Sequence, residues 1–551
     1  MGDYYNQPHP YGVLPLGNMY FASATDQSVM KLGLGKVFRR MTEEALIDLL
    51  SFLDGSALSV MASLSRAMYV YAHHSDLWRD LTLRKWENQP IQYDTSWKQT
   101  YMNMNTSLGS SVRHVPITVQ GAYSALLHRA WTCHCCDLKS ACPGFFKFSD
   151  IDRLNAASLS LKSFVEQYEQ ANKPVVISNA VQDWEALRIW SDSYLSALEK
   201  EDGQQKLFRA TSPTAPVAAV FTLSDYFNYA KQSTEEAPLY LFERDFAKKI
   251  PILESQYAIP SYFSPAVEND SSMHKTDLFR VFGNDKRPDY RWMIVGPRRS
   301  GSIFHIDPNQ TNAWNVSITG RKKWIFYPPG SAPPGVEQSE DGADVAVPIS
   351  TGEWLLSFWS DHLERRKDPN ISKRPLEIIV QPGEVIFVPH GYWHMVLNLD
   401  MCVALTHNYV STSNLSDCLH FLKYKSDQIS GIRDRSEAVS VHSIYNEFVA
   451  GLQSVLPSTD IQEYVNKSKE KERVSKKRTG LSSVGTVLKR RANEYSANIT
   501  NNNASSGALS DGYLADSGTD KKRCKRNVIN SSTATSKKRD KQQGFSFSFN
   551  F

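Results

Sequence analysis

The chain has 551 residues, 41% hydrophobic and 11% aromatic, enough for two or three domains with sizeable cores. The net charge of +4 hides a split: Lys plus Arg exceed Asp plus Glu 19 to 8 from position 461 onward and trail them 43 to 50 before it, so a mildly acidic body carries a basic tail. No run of eighteen apolar residues occurs, which argues against a spanning helix and a membrane role.

The start, Met1 to Asn6, lacks the basic and apolar regions of a secretory signal and is a poor myristoylation site. The seven cysteines are odd in number and four cluster at Cys133, Cys135, Cys136 and Cys142, which does not suit a disulfide framework and fits a reducing, intracellular compartment. That cluster matches no standard pair of Cys-x2-Cys knuckles, so ordinary thiols are favoured over a zinc site.

In chain order, residues 1–33 read as a flexible N-terminus. Residues 34–84 read as helical: Thr42, Glu43 and Glu44 suit a helix start, and Leu46, Leu49, Leu50 and Leu53 follow helical spacing. Asp54-Gly55 suits its stop, and a second apolar stretch runs from Leu58 to Tyr71. Residues 85–149, with Trp86, Trp97 and Trp131, read as a connector packed on the next domain. From 150 to 425 short β-rich runs such as 174–178, 323–327 and 384–388 are punctuated by Gly and Pro, which predicts a mainly β barrel or jelly roll with flanking helices. Residues 426–464 read as a helical extension. Residues 465–551 hold few large apolar side chains and are predicted to be a disordered basic tail. Its runs at 476–478, 489–491, 521–526 and 537–541 suit nuclear localisation, and less well nucleic-acid contact, since aromatics are not interleaved with the charges.

His305 and Asp307 stand two apart, and on a strand that spacing turns both side chains to one face. A third ligand from a distant strand would complete a facial triad with open positions, the arrangement that suits non-haem Fe(II). His394, at the end of an apolar strand run, is the candidate. A 2-oxoglutarate cosubstrate needs a cation or hydroxyl donors for its far carboxylate. Lys322 can supply the charge, since it faces inward if Trp324 does; Thr406 can add a hydroxyl and Asn315 an amide.

These residues sit among longer matches: 172–176, Ala237 to Phe242, Tyr290-Arg291-Trp292, Gly-Pro-x-Arg-Ser-Gly at 296–301, His305 to Pro308, Ala313-Trp314-Asn315, Phe387-Val388-Pro389, Trp393-His394 and 396–400. Residues 150–412 therefore resemble a JmjC oxygenase domain, and within that family the jumonji group of lysyl hydroxylases and arginine demethylases. The resemblance implies a double-stranded β-helix of the cupin type. It implies an enzyme that binds Fe(II) through His305, Asp307 and His394, and 2-oxoglutarate through Lys322, Asn315 and Thr406. Dioxygen would be the second cosubstrate. Ser302 stands where the family has Thr, near substrate and cosubstrate, and Tyr290 and Trp292 would lie near the substrate entrance. Relatives also place a Tyr on the cosubstrate carboxylate upstream of 226–229; here that segment reads Ala215-Pro216-Val217-Ala218-Ala219, without one.

The reaction implied is hydroxylation of a protein side chain, lysine first, with N-methyl demethylation of a histone or other protein (Lys or Arg) as the alternative; an RNA-associated protein is a further candidate substrate. Residues 34–84 in turn resemble an F-box, although Arg40-Met41-Thr42 replaces the usual Leu-Pro and Ser65 to Met68 the usual Cys-Lys-x-Trp. That resemblance implies a Skp-type adaptor of a cullin ubiquitin ligase as a partner, and a third reading in which the β domain serves only to bind.

Overall fold

Runs of Val, Ile, Phe and Trp closed off by Gly and Pro form two packed sheets in the computed structural model, which describes residues 7–21, 28–105, 113–198, 205–264, 275–432 and 443–475. The strands are β1 (Arg153–Asn155), β2 (Val175–Ser178), β3 (Phe208–Thr211), β4 (Ala219–Phe221), β5 (Tyr240–Glu243), β6 (Arg291–Gly296), β7 (Gly301–His305), β8 (Asn312–Thr319), β9 (Lys322–Tyr327), β10 (Leu376–Val380), β11 (Val385–Val388), β12 (Trp393–Asn398) and β13 (Cys402–Tyr409). The large sheet has the order β1-β2-β11-β8-β13-β6-β5-β3-β4, and the small one β10-β9-β12-β7.

Period-two alternation decides what each face does. On β9, Trp324 and Phe326 turn inward to meet Ala313, Ile386 and Val388 of the large sheet, while Ile325 and Tyr327 turn outward under Trp354 and Trp359 of the helix Thr351–Arg365. On β8, Trp314 and Val316 turn away from the small sheet into a core that reaches the N-terminal helices. The architecture is the cupin jelly roll with helices outside both sheets.

The N-terminal helices include Glu43–Leu50, Gly55–Leu64, Arg66–Ala72 and Ser75–Lys85. Thr42 Oγ1 accepts from Ala45 N at 3.2 Å and Asp54 Oδ1 from Ala57 N at 2.8 Å, so both helix starts are capped. The stretch Leu58 to Tyr71, which reads as one apolar run, is two helices: Ser65 is extended and its hydroxyl caps the second at Met68 N. Order also begins earlier than local pattern suggests. Val13–Leu14 pairs in parallel with Ala122–Tyr123, and Ser28 caps a helix at Val29–Gly33; long-range pairing of this kind leaves no local signature.

At the other end, Ile444–Leu452 packs on the helix Leu415–Tyr424, and a last helix runs over 458–475. It continues eleven residues into the stretch predicted to be disordered, because Ile461 and Val465 join that cluster and Ser468 is fully buried. The basic runs from 476 onward lie outside the described residues. Among the described residues no helix is long and apolar enough to cross a membrane.

Candidate metal and cosubstrate site

Strand β7 ends at His305, and Asp307 follows in extended conformation before the short turn Pro308–Gln310, so Asp307 lies just past the strand rather than on it. Pairing of β7 with β12 sets His305 directly across from His394. His305 Nε2 lies 4.0 Å and His394 Nε2 3.8 Å from Asp307 Oδ1, and the candidate ligand atoms all fall within 4.8 Å of one another. His305 Nδ1 is 2.8 Å from the Ile303 carbonyl and His394 Nδ1 3.2 Å from the Tyr392 carbonyl. Each carbonyl takes a proton from Nδ1 and leaves the Nε2 lone pair facing the pocket. Burial holds both imidazoles neutral, with pKa values lowered to about 4, and pushes the Asp307 carboxyl up. These are the only three metal-ligating side chains that converge in this way among the described residues.

Behind them runs a narrow pocket between the sheets, lined by apolar Ala313, Trp324, Val388 and Val396. At its far side Lys322 is 1% exposed, and its ammonium donates to Tyr240 Oη at 3.2 Å. No carboxylate among the described residues pairs with it. Its neighbour Lys323 turns to the opposite face and is neutralised by Glu377 at 3.0 Å, as alternation requires. Trp292, Thr406 and Asn315 stand in one row across β6, β13 and β8. Thr406 Oγ1 donates to the Trp314 carbonyl at 3.0 Å, whereas Asn315 Oδ1 and Trp292 Nε1 are buried without a hydrogen-bond partner.

Comparison with known proteins agrees with this geometry. A family model for a cupin-like domain matches residues 161–414. Arginine-specific demethylase JMJ22 of Arabidopsis thaliana is 37% identical over 477 residues, 86% of this chain and 86% of its own. The bifunctional arginine demethylase and lysyl-hydroxylase psr-1 of Caenorhabditis briggsae is 31% identical over 269 residues, 48% of this chain and 63% of its own. The 2-oxoglutarate and iron-dependent oxygenase JMJD4 of Mus musculus is 30% identical over 286 residues, 48% of this chain and 62% of its own. The chain belongs to the cupin-like JmjC family of iron- and 2-oxoglutarate-dependent oxygenases.

The residues of this oxygenase fit both groups. Two neutral imidazoles and one carboxylate on one face suit Fe(II) with open positions. The buried ammonium of Lys322, lacking an anionic partner, suits the far carboxylate of a dicarboxylic acid, since an unpaired charge in a dry pocket is costly.

The tyrosine in contact with Lys322 is Tyr240. It comes from β5, not from the segment 215–219, of which 215–218 form a loop wall outside the pocket and Ala219 opens β4. Its place within the Ala237 to Phe242 match was visible in the sequence, but its contact with Lys322 was not. Ser302 lines both this pocket and an outer cleft. Trp292 lines the pocket; Tyr290 does not, and packs 4.8 Å from the His407 ring with the Arg287 guanidinium 3.3 Å above it. Cys133, Cys136 and Cys142 are buried free thiols that do not gather around one point with Cys135. Cys142 Sγ instead donates to the Leu355 carbonyl at 3.5 Å.

Proposed function

We propose that this oxygenase hydroxylates a protein side chain, with lysine as the principal target. The supporting observation is the pocket itself, with a two-histidine, one-carboxylate cluster at one end and an unpaired buried lysine at the other. In this reading His305, Asp307 and His394 hold Fe(II). Lys322, Tyr240, Asn315 and Thr406 receive the far carboxylate of 2-oxoglutarate, with Ser302 beside it and Trp292 toward the substrate. When bound, iron and 2-oxoglutarate supply the oxidising power that places one oxygen in a C–H bond and the other in succinate. The protein's own groups orient and shield: the Ile303 and Tyr392 carbonyls fix the imidazole tautomers, and Trp324, Val388 and Val396 keep water from the keto acid.

N-methyl arginine demethylation by the same chemistry is the second reading, favoured by the similarity, over 86% of both chains, to a relative named for it. Mass spectrometry of turned-over peptides separates the two, a gained oxygen for hydroxylation against a lost methylene for demethylation. His305→Ala should abolish substrate-coupled succinate production; unchanged output would sink the assignment.

A role as ubiquitin-ligase adaptor rests on a separate observation. Leu49, Phe52, Val60 and Leu64 of the N-terminal helices are exposed while Leu46, Leu50 and Leu58 fill the core. Leu49→Asp should then abolish co-purification of a Skp-type adaptor without lowering the melting temperature; retention of the adaptor would count against this role. The basic runs beyond 476 support nuclear residence, which a fusion to a fluorescent protein with and without residues 476–551 would test.

A further inference from the structure

The inner pocket opens past Tyr240, Phe242, Ser302 and His305 into an outer cleft of about 740 Å³. One wall is the rim strand β7. The opposite wall is the loop 212–218 that joins β3 to β4, together with Ala237 and Pro238. Neither part of that second wall belongs to a long element, and each is held by a side chain from the N-terminal part of the chain.

Arg79, on the helix Ser75–Lys85, is 1% exposed and reaches both wall segments with its two terminal nitrogens. Nη2 donates to the Thr214 carbonyl at 2.8 Å, inside the loop. Nη1 donates to Glu235 Oε1 at 3.3 Å, two residues before Ala237. Nη1 also meets Asp76 at 3.0 Å and Nε meets Asp80 at 3.1 Å, so two carboxylates of its own helix fix the fork. The two wall segments are further tied together by Ser212 Oγ donating to the Ala237 carbonyl at 2.9 Å. Five residues after Glu235 stands Tyr240, whose hydroxyl touches Lys322.

We infer that Arg79 is a positioning residue for the protein substrate: the N-terminal helical module clamps the outer wall of the cleft leading to His305, and the catalytic domain is incomplete without it. A planar fork is what the site demands, because three carboxylates and one carbonyl surround it at fixed angles; a lysine ammonium keeps the charge but cannot reach Thr214 and Glu235 together. The identity of what enters the cleft rests on the function proposed above; the clamp itself does not.

The test uses the full chain with Arg79→Lys, and Leu77→Ala as a control, since Leu77 is buried on the same helix and its apolar side chain makes none of the hydrogen bonds that hold Thr214 and Glu235. Hydrogen exchange over 212–218 should rise at least about fivefold in Arg79→Lys and stay near wild type in Leu77→Ala at a matched melting temperature. With purified core histones as substrate probe, KM should rise on the order of tenfold in Arg79→Lys, while the KM for 2-oxoglutarate in substrate-independent turnover stays within about twofold. Equal loop exchange in Arg79→Lys and wild type, or an equal KM rise in Leu77→Ala, overturns the inference. If core histones are not turned over by wild type, that substrate class falls, and the exchange over 212–218 alone decides the clamp.

Discussion

Replacing Lys322 with Met separates two effects of opposite sign. The ammonium is buried against Tyr240 with no carboxylate partner among the described residues, so in the ligand-free protein it is an uncompensated charge. Met keeps the length and apolar bulk. The ligand-free variant should therefore be as stable as wild type or gain about 1–2 kcal/mol. The cosubstrate should suffer the reverse. Removing one partner of a buried charge pair costs about 2–5 kcal/mol, or roughly 30- to 4,000-fold in Kd. With Mn(II) as a redox-inert ion and 2-oxoglutarate at about 100 times the wild-type Kd, wild type should gain about 2.7 kcal/mol of stability, and the variant less than about 1 kcal/mol. Thermal melts with and without 2-oxoglutarate read both terms. A variant that keeps the full ligand-induced shift, or that is destabilised by more than about 2 kcal/mol without ligand, would refute the anchoring role.

Tyr240→Phe removes one hydrogen bond to the same ammonium and should weaken 2-oxoglutarate about five- to tenfold, matching a loss near 1–1.5 kcal/mol; an unchanged Kd by calorimetry would return Tyr240 to a packing role. Gly301→Ala places a Cβ 1.9 Å from the Val396 carbonyl, on the strand that carries His394. It should cost about 2 kcal/mol or more and loosen metal binding, read as a lower urea midpoint and a weaker Mn(II) Kd. His73 is buried, and burial, then the nearby Lys98, lower its pKa to about 4. Below the usual 6.5 the unfolded chain takes up this proton first, so stability should fall between about pH 6.5 and 4, by about 3 kcal/mol for this group. His73→Gln should flatten that slope in urea titrations at pH 7, 5.5 and 4.5; an identical slope would point to other groups.

Much of the site was legible because strand geometry is local. The interval between His305 and Asp307 needs only an extended backbone to bring both to one face, and Lys322 with Trp324 follows the same rule. The helix cap at Thr42 is equally local, being decided within three residues, whereas Asp54-Gly55, which reads as the stop of that helix, starts the next one: the first helix already ends at Leu50, and Asp54 caps Gly55–Leu64. The helix over 458–475 was not legible as such, since its polar composition is outweighed only by the docking of Ile461 and Val465 on distant helices. Nor did composition show that Ser65 breaks the run from Leu58 to Tyr71 into two helices.

The sequence by itself determined which side chains share a face within each strand or helix, because periods of 2 and 3.6 residues are properties of the backbone alone. Tertiary structure decided which elements lie side by side. Tyr240 reaches Lys322 across 82 positions, and Arg79 reaches Glu235 across 156. No pattern within one element encodes such contacts, because sheet pairing and burial of the whole core set them.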